Sequence, residues 1–163
     1  MPTATHLHLM LNHLPVFGGA IDIVLFLWAI TARSKDLTRA AFILAIVVGI
    51  AGFIARQTGH GAEDQVRSLP WADRHLIHDH EEAADKTFVI LSLGAVVAVF
   101  GLWQTFKGKD ARVVAMVTTA VVLFGTMAAV WAGVEGGKIR HEEVRPGFVF
   151  PQGGDSGGDE HDH

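Results

Sequence analysis

The sequence predicts an all-α protein, a four-transmembrane-helix bundle, and two observations carry that reading. Half of the 163 residues are hydrophobic, with a mean hydropathy of +0.33. Those residues fall into four continuous blocks, whereas a soluble core of this size would be assembled from amphipathic stripes at helical spacing. The blocks do not alternate apolar with polar, which excludes a membrane barrel of strands.

In chain order the blocks are Leu14–Ala32, Ala40–Ile54, Thr87–Phe106 and Val113–Val134. Crossing a hydrocarbon core takes about 20 helical residues. Three blocks come near or exceed that length, and the second reaches it if counted to Gln57. All are rich in Gly, Ala and Val, which let membrane helices approach closely. With polar flanks included, the helices are predicted over about 7–33, 38–57, 80–107 and 111–137, within one transmembrane domain of residues 1–145. Pro15 lacks a backbone donor and either starts or kinks the first helix. Residues 146–163, ending in GGDSGGDEHDH, read as a disordered tail rich in Gly, acids and His. The N-terminal MPTATHLHLM has no basic region of the kind that opens a secretory signal. The absence of cysteine removes disulfides, thiolate metal sites and covalent c-type haem attachment.

The net charge of −4 conceals a segregation of signs. The first connection, TARSKDLTR, carries Arg33, Lys35 and Arg39, and the last, FKGKDAR, carries Lys107, Lys109 and Arg112. Short basic loops stay in the cytoplasm, so both termini and the middle loop Thr58–Lys86 are expected outside.

None of the ten histidines lies in either basic loop. Counting from the basic edges, His13 stands 20 residues from Arg33 and His60 stands 21 from Arg39. His80 stands 27 from Lys107 and His141 stands 29 from Arg112. At ~1.5 Å per residue these are two layers, at roughly 30 and 40 Å, each with histidines from two helices. His80 shares a helical face with Ala84, Thr87, Leu91, Gly94 and Ala98, a small-residue stripe that should face inward. His75, His78, Glu82 and Asp85 occupy another, wetter face. His141 continues a stripe through Gly137, Gly133 and Thr126, although Gly136–Gly137 can end that helix early. Asp22, 11 residues from Arg33, falls near mid-membrane on a face shared with Gly18, Gly19 and Ala29. A carboxylate there is costly and draws attention to function. His13 lies on the opposite face unless Pro15 re-aims the chain. Arg56 sits just inside the outer boundary, where it can snorkel, pair with Asp22, Asp85 or Glu135, or hold an anionic group. His6, His8, His75 and His78 read as solvated.

Four motifs in order resemble an uncharacterised family of bacterial four-helix membrane proteins. NHLPVFG (Asn12–Gly18) is similar to that family's His-x-Pro opening of the first helix, and TGHGAE (Thr58–Glu63) to its Thr-Gly exit from the second. HEEAADK (His80–Lys86) resembles its His-Glu opening of the third, and EGGKIRHEE (Glu135–Glu143) its Gly-Gly-then-His exit from the fourth. The resemblance covers about residues 6–145 and implies that His13, His80, Glu81 and His141 are the family positions. His60 has no counterpart in it. It implies a multi-pass bacterial membrane protein; with the basic loops in the cytoplasm, an inner-membrane location with the histidines on the periplasmic side is expected. Fusion of some relatives to cytochrome-type domains implies a redox setting with a respiratory or cytochrome partner.

Three readings of the histidines stand side by side. One is a haem b gripped by His13 with His60, or by His80 with His141, with Arg56 beside a propionate, in an electron-transfer component. Another is a first-row transition metal ion held by His13, His60, His80 or His141 with Glu63, Glu81 or Glu135. The third is a structural or assembly subunit, open to oligomerisation, whose histidines merely sit in the wet headgroup zone. The chain has no Gly-x-Ser-x-Gly, His-Glu-x-x-His or phosphate-cradling glycine loop, so no residue is assigned a catalytic role. No basic stripe interleaved with aromatics points to nucleic acid.

Overall fold

The computed structural model describes residues 4–150, so most of the expected tail lies outside the described residues. The elements are α1 (Ala4–Leu11), α2 (Leu14–Ala32), α3 (Lys35–Val66), α4 (Arg74–Phe106) and α5 (Arg112–Arg140), followed by a short 3-10 turn at Glu142–Val144. No strand occurs among the described residues.

Four spans are long and apolar enough to cross a membrane: Thr5–Ala32, Lys35–Val66, Arg74–Phe106 and Arg112–Arg140. Only 28 to 39 % of their most apolar windows is buried within the protein. The remaining apolar side chains, among them Phe17, Trp28, Phe100, Phe124 and Trp131, point outward. Such a surface is unfavourable in water and suited to lipid. The fold therefore fits a multi-pass integral membrane protein.

The helices run up and down in a closed ring, with α2 against α3, α3 against α4, α4 against α5, and α5 back against α2. Small residues set their spacing. The Phe42 ring occupies the space a side chain at Gly101 would need, and meets Phe26 edge-on at 5.3 Å. Leu91, 1 % exposed, seats against Gly52 and Gly125 from the two neighbouring helices. Asp22 is fully buried, as its glycine-rich face predicts, and among the described residues neither of its carboxylate oxygens has a hydrogen-bond partner.

Three boundaries depart from the sequence reading, each for a local reason. The first span breaks at Asn12–His13, with Pro15 in the opening turn of α2, and α1 folds along α3. Proline has no N–H to continue the α1 ladder. Helix α3 runs from Lys35 to Val66 rather than 38–57: Ser34 accepts the Leu37 N–H at 3.3 Å at its start, and Pro70 follows soon after its end. Helix α4 begins at Arg74 rather than at 80, because Asp73 accepts the His75 N–H at 2.8 Å. At ~1.5 Å per residue, α3 and α4 are about 48–50 Å long. They therefore outrun a hydrocarbon core of ~30 Å, with the end of α3 and the start of α4 forming the extension.

Candidate metal centre

The end of α3 and the start of α4, extended beyond the predicted bounds, bring together three side chains that can ligate a metal. One donor atom from each of His60, Glu63 and Glu81 lies within 4.8 Å of the other two. His60 and Glu63 share one face of α3 at i and i+3, and Glu81 faces them from α4. His60 Nδ1 stands 3.7 Å from Glu81 Oε1. Donors around a tetrahedral ion with bonds of about 2.0–2.1 Å are spaced about 3.4 Å apart, so small side-chain rotations close the set. The His60 side chain is 42 % exposed and Glu81 32 %, which leaves a path for an ion and for completing water ligands. Glu63 is more enclosed and also pairs with Arg67 one turn along α3. Metal binding has to share or displace that guanidinium.

The other expected ligands are dispersed. His13 caps the start of α2, exposed, with its ring 6.3 Å from Phe17. Gly18 lies against Val48, so His13 is level with residues near Phe53, about two turns short of His60. The matched depth fails because the count began at Arg39, whereas α3 begins at Lys35. His141 lies beyond the last turn of α5, 61 % exposed, with Nδ1 at 2.9 Å from Glu143 Oε1. The Glu143 backbone N–H first, and this imidazole second, hold that carboxyl below its usual range. His80 is level with Gly136, so neither expected histidine pair forms. Glu135 is taken up by Lys138 at 2.7 Å and by the Trp131 indole at 3.2 Å. Arg56 selects Asp85, at 2.6 Å, from the partners open to it, and its guanidinium lies 5.3 Å from the Phe88 ring centre.

His80 does face inward. Its Nδ1–H donates to the Ala132 carbonyl at 2.8 Å, and Thr87, Leu91, Gly94 and Ala98 below it are all buried. His75, with 80 % of its side chain exposed, and His78 remain on the wet face.

His8 differs from the solvated residue its sequence position suggests: it is half-buried. Its Nδ1–H donates to the Ala55 carbonyl at 3.0 Å, and its ring meets His80 edge-on at 6.3 Å. Helix α1 continues the first span along the far end of α3, and Gly59 leaves room for the ring. The only sequence signal for this contact was the Gly-His-Gly stretch at residues 59–61. When Nδ1 is held by a carbonyl, Nε2 keeps its lone pair, the state a ligating imidazole requires.

Compared with protein-family models, curated proteins and solved structures, the chain finds no match. The functional reading rests on its own geometry.

Proposed function

We propose that this protein is an integral membrane protein that binds a first-row transition metal ion at one end of its bundle, through His60, Glu63 and Glu81. The observation that carries the reading is the convergence of one imidazole and two carboxylates, from two helices, within 4.8 Å. One nitrogen and two oxygen donors suit zinc or iron better than the softer ions that thiolates select. With the basic loops in the cytoplasm, the site faces the outer side of a bacterial inner membrane. Protein purified in mild detergent without chelators should carry close to one equivalent of such a metal. His60→Ala with Glu81→Gln should lose it while the bundle stays helical. A metal-free wild type that takes up none on titration overturns the reading.

Haem b in an electron-transfer component, served by a respiratory or cytochrome partner, is the second reading. The His8–His80 contact favours it, since both rings hold Nδ1 on a backbone carbonyl. It predicts the sharp bands of a six-coordinate b haem in the reduced visible spectrum, lost in His8→Ala and His80→Ala alike.

A further inference from the structure

We propose that the end of the bundle opposite the histidines binds a phosphate-bearing anion, with the headgroup of an acidic phospholipid as its source. A cavity of about 440 Å³ lies there between the α2–α3 turn and the α4–α5 loop. That is within the range of small-molecule sites, about 300–1,000 Å³. Arg33 and Lys35 line it from one connection, and Lys109 and Arg112 from the other. Its single acid, Asp110, is occupied by the Arg112 backbone N–H at 2.9 Å.

The basic residues of this end divide into two groups. Arg39 is spent on the Thr105 carbonyl at 3.2 Å and on Asp36 at 3.5 Å. By contrast, among the described residues the Arg33, Lys35 and Arg112 side chains have no ion pair or side-chain hydrogen bond. Three uncompensated cations around one concavity repel each other, and an anion seated among them removes that repulsion. Two helices also begin at this cavity, α3 after Ser34 and α5 after Ala111, adding the positive ends of their dipoles.

The backbone of Arg33 supplies an independent observation. It is the one non-glycine residue with positive φ among the described residues, at φ 50° and ψ 35°. Glycine adopts this left-handed position at the end of a helix without strain, whereas a side chain there is disfavoured. A strained residue points toward function, and here the strain keeps a guanidinium at the cavity. Ile30 and Ala115 form an apolar side of the same space, suited to the glycerol and acyl portion of a lipid and of no use to free phosphate.

The test uses the full-length protein, stripped of lipid in a neutral detergent and titrated with phosphatidylglycerol, phosphatidylcholine or inorganic phosphate while its thermal midpoint is followed. Phosphatidylglycerol should raise the midpoint saturably and phosphatidylcholine should not. Arg33→Gln with Arg112→Gln should weaken the apparent affinity at least tenfold. Arg33→Gly relaxes the backbone while removing the cation, so it should fold at least as well and still bind several-fold more weakly. Lys107→Gln, in the same loop but outside the cavity, should bind like wild type. Saturable protection by inorganic phosphate that phosphatidylglycerol does not surpass would keep the phosphate chemistry and make the source soluble. Equal protection by the two lipids, or an equal loss in Lys107→Gln and the cavity variants, would overturn the proposal.

Discussion

Gly101 and Gly133 show how much a single position can mean in this bundle. A methyl group at Gly101 would overlap the Phe42 ring, and that ring is fully buried against Phe26 with nowhere to turn. Gly133, on the same small stripe that leads toward His141, has open space where a Cβ would go. Gly101→Ala should therefore destabilise the detergent-solubilised protein by about 1–3 kcal/mol through overpacking. Gly133→Ala should be neutral or stabilise by up to about 1 kcal/mol, because alanine holds a helix better than glycine. Thermal unfolding followed by circular dichroism separates the two, and equal effects would mean that close helix approach is not what the Phe42 contact enforces. Asp22 is the opposite kind of position, a buried carboxyl that the core tolerates without a partner. Burial of that kind costs stability, and among the described residues nothing repays it with a hydrogen bond.

At the level of elements, the spans themselves were legible in the sequence because a lipid-facing helix needs an unbroken apolar run, and such runs are visible without any knowledge of packing. The inward face of His80 was legible for a similar reason, since Thr87, Leu91, Gly94 and Ala98 repeat at helical spacing and all are buried. The candidate ligand set was only partly legible. His60, Glu63 and Glu81 were each among the candidates, but their meeting depends on α3 and α4 continuing past the membrane, through a polar stretch where apolar periodicity gives no signal. The His8 contact depends on α1 continuing the first span alongside the far end of α3, a tertiary packing that no apolar run announces. One consequence of the extended α3 is the pairing of Arg67 with Glu63 across a single turn. Only the Arg67 side of this pair is exposed, and pairs near the surface are worth about 0.2–1 kcal/mol. Removing the competing cation with Arg67→Ala should tighten metal binding by up to about five-fold. Weaker binding in that variant would show that Arg67 supports the site instead of competing with it.

Across the whole molecule, chemistry is divided between the two ends. Imidazoles and carboxylates gather where α1, α3 and α4 meet, and uncompensated cations line the turns at the far end. The basic connections are expected in the cytoplasm by the positive-inside rule. Reporters fused at Ser34 or Gly108 should therefore behave as cytoplasmic, and one after Phe150 as external; the reverse pattern would place the metal site inside the cell. The proposed metal site is formed by His60, Glu63 and Glu81. Its most direct test is an equilibrium zinc or ferrous-iron titration of the purified, metal-stripped protein, wild type beside His60→Ala with Glu81→Gln. One equivalent should bind per chain, less well as the pH falls because a ligating imidazole must shed its proton. The variant should bind at least about a hundredfold more weakly, since loss of an outer-shell partner alone costs about 10–100-fold. Uptake that is absent, or that survives the double substitution unchanged, would contradict it.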